Sequence, residues 1–148
     1  LLPNVPSNEA EALRNKDTDA IWIYYAWAGV NCELSGIEFD YFNFIDIDPV
    51  FDYYTPVIVA NNEFLKENPE TAKAFLRATQ KGYEYAIENP EEAADILCEA
   101  APELDKELVV ESQKYLAAEY KAEAPRWGEI DANRWNAFYQ WVNDNKLV

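Results

Sequence analysis

The hydrophobic pattern of this chain changes near Asn61, and that change limits the possible folds more than any other feature. Before Asn61, apolar residues come in short unbroken runs rich in β-branched and aromatic side chains, as in strands covered on both faces. After Asn61 they recur every three or four positions, which is the spacing of a helix face. We therefore predict an α/β fold in which residues 1–60 form an α/β segment and residues 61–148 form a helical segment of the same domain.

Three apolar runs in the first segment are predicted strands: Ala20–Tyr25, Phe39–Ile45 and Thr55–Ala60. Pro56 has no N–H to donate to a neighbouring strand, so the third run is an edge strand, a strand start or a bulge. Helices are predicted at Ser7–Arg14, with Ser7 as the N-cap, and at Ala26–Leu34. The first segment is thus predicted to alternate between helices and strands.

Prolines mark the starts of the predicted helices in the second segment, because proline fits the first helical turn. Pro69 opens a long helix, and two more run from Pro90 to Ala100 and from Pro102 to about Lys121. Asp131 is the predicted N-cap of a last helix that ends near Asn145. The predicted core face of the long helix contains Ala72, Phe75, Leu76, Thr79, Tyr83, Ala86 and Ile87.

Charge and composition exclude several functional classes. The chain carries 28 acidic and 12 basic side chains, a formal charge of −16, which repels phosphate backbones and anionic lipid surfaces. We therefore predict no nucleic-acid partner. The chain contains no His, so histidine triads and imidazole metal sites cannot be built from it. No apolar run approaches the roughly 20 residues that a membrane-spanning helix needs.

Cysteines and closely spaced aspartates give no metal or redox site. Cys32 and Cys98 lie far apart in the sequence, which excludes a CxxC pair and leaves a disulfide open. We interpret both as small buried apolar groups. Asp46, Asp48 and Asp52 have a spacing that suits calcium, but no Gly or distal Glu completes an EF-hand loop. We predict a turn there and no metal site.

Several stretches resemble a known class of proteins, and together they cover most of the chain. They are Asp19–Ala20, Tyr24–Val30, Asp52–Ala60, Phe64–Glu70, Lys81–Leu97 and Arg134–Val142. These stretches resemble the solute-binding proteins of ABC importers that capture thiamine-pyrimidine precursors. Sulfonate- and riboflavin-binding proteins are relatives of that class, and pyrimidine synthases share its fold. Ala28 stands where many members of the family carry Glu.

The resemblance implies a fold of two α/β lobes with the ligand between them. This chain is similar to the second lobe of that type II periplasmic-binding-protein fold, followed by the carboxy-terminal helices. The first lobe is absent from the chain, so we expect a fragment whose uncovered apolar surface favours self-association. The resemblance also implies a periplasmic or lipid-anchored location at the outer face of the cell membrane. ABC permease subunits would be its partners, and it would need neither catalysis nor a cofactor.

The predicted ligand is a thiamine-pyrimidine precursor or a similar small heterocycle. Aromatic faces hold flat rings, and the ends of strands are where open α/β sheets bind ligands. The predicted ligand-binding residues are Tyr24, Tyr25, Trp27, Asp52, Tyr53 and Tyr54. Asp52 would accept a hydrogen bond from an exocyclic amine, and the helix starting near Ala26 would offer backbone N–H groups.

Some of these side chains have a structural alternative. Strand alternation sends Tyr24 and Tyr25 to opposite faces, so at least one is expected in the core. Tyr53 and Tyr54 precede Pro56 and could pack a hinge. Trp127, Trp135 and Trp141 are predicted to be core or lobe-contact residues. Two other functions stay open: a pyrimidine synthase that consumes a pyridoxal cofactor and a histidine, and a helical interaction module whose aromatic residues anchor a partner.

Overall fold

The computed structural model describes residues 8–147, and over these residues the protein consists of helices, turns and loops without a β-strand. The helices are α1 (Glu9–Arg14), α2 (Val30–Leu34), α3 (Phe44–Ile47), α4 (Asn62–Glu67), α5 (Pro69–Glu88), α6 (Pro90–Ala100), α7 (Lys106–Glu119) and α8 (Ala132–Asp144). A π-helical turn at Tyr25–Gly29 leads into α2, and a 3₁₀ turn covers Pro49–Phe51. The predicted α/β class, and with it the second lobe of a type II periplasmic-binding-protein fold, is therefore wrong.

The predicted strands fail because an apolar run specifies burial but does not supply a pairing partner. A strand needs a neighbouring strand to pair with its backbone N–H and C=O groups, and among residues 8–147 no two segments pair in this way. Ala20–Tyr24 and Thr55–Ala60 have no regular secondary structure, and Phe39–Ile45 turns into α3 at Phe44. Several apolar side chains of these runs face water, with Val59 85% exposed.

The structure divides into two compact units, each made of separate stretches of the chain. The first unit contains the described part of Leu1–Asp40 together with Gly82–Glu123. It holds α1, the π turn, α2, the end of α5, α6 and α7. All side chains that the structure buries lie in this unit: Ala10, Ala12, Ala28, Val30, Cys32, Ala94, Leu108, Val109 and Ser112. Small residues dominate this core, which lets the short helices approach one another closely.

Helices α6 and α7 form the most extensive helix pair of the first unit. Ala94 of α6 and Val109 of α7 are buried. Lys106 pairs with Asp95 at 2.7 Å, and Lys114 pairs with Glu91 at 3.0 Å. Both lysine side chains are exposed, so these ion pairs add little to the burial that joins the helices.

The second unit contains Tyr41–Lys81 and the described part of Ala124–Val148. It holds α3, the 3₁₀ turn, α4, most of α5, and α8. None of its described residues is fully buried, and its packing comes from half-buried aromatic rings. Phe51 of the 3₁₀ turn meets Trp141 of α8 edge to face, with ring centroids 5.0 Å apart. The predicted assignment of Trp141 to packing is confirmed by this contact.

Helix starts follow the capping residues. Pro69 and Pro90 open α5 and α6, and Asp131 caps α8 through a 2.8 Å bond from the Arg134 N–H, as predicted. The helix predicted from Pro102 begins instead at Lys106, because Asp105 Oδ1 accepts the Leu108 N–H at 2.9 Å. Ser7 lies outside the described residues, and Asn8 caps α1 by accepting the Glu11 N–H.

The apolar face of α5 is less covered than its spacing indicates. Phe75 and Leu76, which belong to the second unit, are exposed, at 59% for Phe75. Tyr83, Ala86 and Ile87, near the end of the helix in the first unit, are half-buried. Among the described helices, none combines the length and the apolar character that a bilayer crossing demands.

Candidate functional site

The π turn at Tyr25–Gly29 carries two of the predicted ligand-binding residues, Tyr25 and Trp27, and a third, Tyr24, is its N-cap. Tyr24 is extended and ends the preceding loop, and its carbonyl oxygen accepts the N–H groups of both Trp27 and Ala28 at 3.0 Å. These two amides are therefore used inside the turn. The helix start near Ala26 was predicted to offer backbone N–H groups to a ligand, and those of Trp27 and Ala28 are already engaged.

Tyr25 points into the first unit, where three neighbours hold its ring and hydroxyl. Its hydroxyl donates to Glu33 Oε1 at 2.5 Å, and its ring lies 5.2 Å from that of Tyr115, centroid to centroid. Gly29 lies directly against the ring, because a Cβ added there would come within 2.6 Å of a ring carbon. The structure thus gives Tyr25 a packing role, one of the two predicted outcomes for the Tyr24–Tyr25 pair.

Tyr24 and Trp27, which flank this anchor in the sequence, present their rings to water. Tyr24 is 63% exposed and Trp27 is 41% exposed, whereas the intervening Tyr25 is only half-buried and engaged as described. Exposed aromatic faces beside a fixed turn can stack on a flat heterocycle. These two residues are therefore the members of the predicted set with the most accessible rings.

Trp22 is a further exposed ring that the sequence analysis did not assign. It is 67% exposed, and its ring centroid lies 5.7 Å from that of Tyr24, with the planes tilted by 43°. The signal was available, because residues two apart in an extended segment point to the same side. Trp22 and Tyr24 satisfy that spacing.

Asp52, Tyr53 and Tyr54 lie in the second unit, where Arg134 of α8 holds the first of them. The Arg134 Nε donates to the Asp52 carbonyl oxygen at 2.8 Å, and its Nη2 pairs with Asp52 Oδ1. The Tyr54 hydroxyl accepts the Asp131 N–H at 2.8 Å. The loop is therefore fastened to the first turn of α8 at two points.

The rings of Tyr53 and Tyr54 also pack against α8. Tyr53 stacks on Phe138 with centroids 4.1 Å apart and planes within 14°. Tyr54 lies 6.3 Å from Trp135 at 25°, and both residues of the loop are half-buried. This arrangement matches the packing alternative predicted for Tyr53 and Tyr54, and it leaves less ring surface open than at Tyr24.

Arg134 is the residue of this cluster that the sequence analysis missed. It follows Asp131 by three positions and falls on the same helix face as Phe138 and Trp141, at spacings of four and three. A cation within an apolar stripe indicates a nearby carboxylate or carbonyl partner, because burying a charge away from water is costly unless the charge is paired. Asp52 supplies both.

The remaining aspartates of this region make local hydrogen bonds. Asp48 Oδ1 accepts the Val50 N–H at 2.9 Å and so caps the 3₁₀ turn, and Asp46 accepts from the Asn43 amide at 3.2 Å. Asp48 thus lies at the predicted turn, whereas Asp46 lies in the short helix α3. Across residues 8–147, no three His, Cys, Asp or Glu side chains gather closely enough to hold a metal ion.

The two thiols differ in their surroundings. Cys32 is buried and Cys98 is half-buried, and both are free. Burial, followed by the nearby Glu9 carboxylate, raises the pKa of the Cys32 thiol. The structure therefore contains no disulfide between them, the alternative that the sequence left open.

The negative charge of the chain is concentrated in the first unit. Its stretches contain 19 acidic and 5 basic side chains, a formal charge of −14, whereas the second unit has 9 acidic and 7 basic, a charge of −2. The exposed rings at Trp22, Tyr24 and Trp27 therefore belong to the strongly acidic unit. Such a field disfavours phosphate esters and other anions and tolerates neutral or cationic rings.

Comparison with known proteins agrees with the resemblance seen in the sequence. Over 112 residues, 73% of this chain, it is 33% identical to the formylaminopyrimidine-binding protein of Halalkalibacterium halodurans. It is 52% identical over 42 residues to the 4-amino-5-hydroxymethyl-2-methylpyrimidine phosphate synthase of Legionella pneumophila, and 34% identical over 56 residues to the synthase THI5 of Saccharomyces cerevisiae.

The matches cover only part of each relative. The matched region is 34% of the length of the binding protein, 13% of the Legionella synthase and 16% of the yeast synthase. In this chain the Legionella match covers 28% and the yeast match 38%. The family match, to proteins described as NMT1/THI5 like, spans residues 2–93, which is more than half of the chain and includes all six predicted ligand-binding residues. The chain belongs to the NMT1/THI5-like family.

Proposed function

We propose that this chain takes part in capturing a neutral aminopyrimidine, without transforming it. The observation that supports this most directly is the pair of exposed rings, Tyr24 and Trp27, which flank the anchored Tyr25 in the sequence. They lie within the stretch that matches the family. Stacking on aromatic rings contributes on the order of 1 kcal/mol per ring beyond area burial and accepts a polar heterocycle.

The charge of the first unit supports a neutral ligand. At −14, it opposes the approach of a phosphate ester but not of an uncharged pyrimidine. The formylaminopyrimidine-binding protein of Halalkalibacterium halodurans is, by name, a binder of such a ring. We propose the same ligand class here, with Asp52, Tyr53 and Tyr54 as further ligand-binding residues to be tested separately.

The proposal includes the setting that the family resemblance implies. We propose that residues 1–60 supply the ligand contacts and residues 61–148 complete the same domain. The captured pyrimidine would pass to ABC permease subunits at the outer face of the cell membrane. The reversible nature of stacking suits that task, because a carrier must release its ligand.

A synthase is the second candidate, favoured by the 52% identity to the Legionella enzyme over 42 residues. Its product, by name, is a pyrimidine phosphate. The acidic first unit opposes that product, and the chain has no His to act as a base or to be consumed. A histidine-containing full-length protein that forms a pyrimidine from pyridoxal 5′-phosphate would favour synthesis.

The experiment that tests capture is a titration followed by nuclear magnetic resonance. Formylaminopyrimidine and 4-amino-5-hydroxymethyl-2-methylpyrimidine, with and without its phosphate, are added to the 148-residue chain while the tryptophan indole N–H signals are recorded. We expect the Trp27 signal to shift with the two neutral pyrimidines and to shift less with the phosphate. Tyr24→Ala and Trp27→Ala are each expected to weaken binding about fivefold or more.

Tyr41→Ala is the matched control for Tyr24→Ala. Tyr41 is another exposed tyrosine, but it lies in the second unit and outside the predicted ligand set. We expect it to leave binding unchanged. The proposal is wrong if no pyrimidine shifts the Trp27 signal at millimolar concentration, or if all three variants bind as the unsubstituted chain does.

A further inference from the structure

We infer that Glu33 is a positioning residue that holds the π turn in the shape that presents Tyr24 and Trp27. This inference depends on the proposed capture of a pyrimidine and extends it to a residue outside the predicted ligand set. Glu33 lies in α2, directly after the turn, and its carboxylate is exposed. It acts through Tyr25 and has no assigned contact with the ligand.

The hydrogen bond between Tyr25 and Glu33 is short. The distance of 2.5 Å from the Tyr25 hydroxyl to Glu33 Oε1 lies in the range of a charge-assisted bond from a hydroxyl to a carboxylate. Such bonds are stronger than neutral ones. Glu33 thus fixes the outer end of the Tyr25 side chain.

Two other contacts fix the ring itself. Tyr115 of α7 meets one side at 5.2 Å, and Gly29 lies so close that no Cβ fits between. With both ring and hydroxyl held, the backbone at Tyr25 has little freedom. The carbonyl of the preceding Tyr24 then holds the amides of Trp27 and Ala28 in the same turn.

The π geometry of the turn sets the direction in which Trp27 points, so the anchoring of Tyr25 affects Trp27 as well. In a π turn each backbone hydrogen bond spans one more residue than in an α turn, which makes the turn wider, and such turns are rare in proteins. If the turn opens, Trp27 points in a different direction relative to Tyr24. Loss of the Glu33 bond therefore alters how the two exposed rings are presented without removing either ring.

The test compares Glu33→Ala, Glu33→Gln and Tyr25→Phe. We expect Glu33→Ala and Tyr25→Phe each to weaken binding of 4-amino-5-hydroxymethyl-2-methylpyrimidine roughly fivefold, the effect of losing one hydrogen bond. Glu33→Gln keeps an acceptor oxygen and is expected to restore binding to within about twofold. The effects of Glu33→Ala and Tyr25→Phe are expected not to add in the double variant.

Two measurements without ligand accompany the titration. Hydrogen exchange of the Trp27 and Ala28 amides is expected to speed up in Glu33→Ala, because their turn opens more often. The denaturant midpoint is expected to fall only slightly, because a single bond to an exposed carboxylate is lost. Glu38→Ala removes an exposed carboxylate from the same segment and is the charge-matched control, expected to change neither binding nor exchange.

The outcomes separate this inference from the proposed function. If the unsubstituted chain binds the pyrimidine and Trp27→Ala does not, but Glu33→Ala binds normally, Glu33 has no positioning role. Unchanged exchange at Trp27 and Ala28 in Glu33→Ala overturns the inference whatever the ligand does. If no pyrimidine binds the unsubstituted chain, the proposed function fails, and with it the role of Glu33 in presenting a binding surface.

Discussion

The guanidinium group of Arg134 lies 4.5 Å from the centroid of the Tyr54 ring, directly over its face. The same group pairs with the Asp52 carboxylate and also bonds to the Asp52 carbonyl oxygen at 2.8 Å. One side chain of α8 thus fixes the loop at two residues, by charge and by cation–π attraction. No regular secondary structure holds Asp52–Tyr54, so this arginine is a main support of the loop.

Arg134→Ala is expected to lower the free energy of unfolding by about 2 kcal/mol, since it removes a charge-assisted pair, a bond to a carbonyl and a cation–π contact. Arg134→Lys keeps the charge but not the fork and is expected to cost about 1 kcal/mol. Denaturant unfolding followed by aromatic circular dichroism measures both changes.

Arg126→Ala is the control for this prediction. Arg126 pairs with Glu129 three residues away, and both side chains are exposed, so its loss is expected to cost under about 0.5 kcal/mol. Equal losses for Arg126→Ala and Arg134→Ala would contradict a special role for the Arg134 contacts.

Gly29→Ala is expected to destabilise the first unit by about 1–3 kcal/mol, because the new Cβ would meet the Tyr25 ring at 2.6 Å. The clash should disappear in a Tyr25→Ala background, where the same substitution is expected to have little effect. Thermal unfolding of the four chains in this cycle measures the coupling.

Gly82→Ala is the matched glycine control. It lies inside α5, and apart from its chain neighbours and the helix's own backbone no atom comes within 4 Å of the added Cβ, so alanine there is expected to stabilise the chain by about 0.5–1 kcal/mol. If both glycine variants shift stability in the same direction, the steric explanation for Gly29 is wrong.

Stability is expected to fall at alkaline pH partly through Tyr120. Burial raises the pKa of this phenol, the neighbouring Tyr83 adds to the rise, and the bond to Gln113 opposes it. Below about pH 10, the usual tyrosine pKa, the group is protonated in both states and contributes no pH dependence. As pH rises through about 10 the unfolded chain ionises first, so stability drops until the folded pKa is passed.

Tyr120→Phe is expected to make this alkaline loss shallower, whereas Tyr139→Phe, at an exposed position, is expected to keep it. Urea midpoints at about pH 9 and about pH 11 give the comparison. A steeper loss in Tyr120→Phe would reverse the sign of the argument.

Thiol reagents are expected to distinguish the two cysteines. Cys98 is half-buried and is expected to react first, whereas Cys32 is buried with a raised pKa and reacts only when the first unit opens. Mass spectrometry of partially labelled chains locates the modified residue. Labelling at Cys32 as fast as at Cys98 in the absence of denaturant would show that this core is not formed.

Local signals in the sequence predicted most of the helices. Pro69, Pro90 and Asp131 mark helix starts because their effects act within a single turn. Pro102 was a weaker signal than the cap at Asp105, so α7 begins later than predicted. The strands were wrong because pairing depends on a second segment, and an apolar run such as Thr55–Ala60 carries no information about one.

The environment of the candidate residues could not be read from the sequence for a similar reason. Asp52 and its partner Arg134 are separated by 82 positions. The neighbours that fix Tyr25 include Gly29 nearby but also Tyr115 on another helix. The sequence shows which aromatic residues are available. Which of their rings stay exposed, including that of Trp22, is decided by the packing.

The fully buried side chains of the described residues all belong to the first unit, and the packing of the second comes mainly from half-buried rings. Resistance to proteases follows the stability of the local structure, since cleavage needs local opening of the backbone. A brief digestion is therefore expected to nick Tyr41–Lys81 or the stretch after Ala124 well before it reaches α6 and α7. The map of early cuts would show where the chain is thermodynamically weakest.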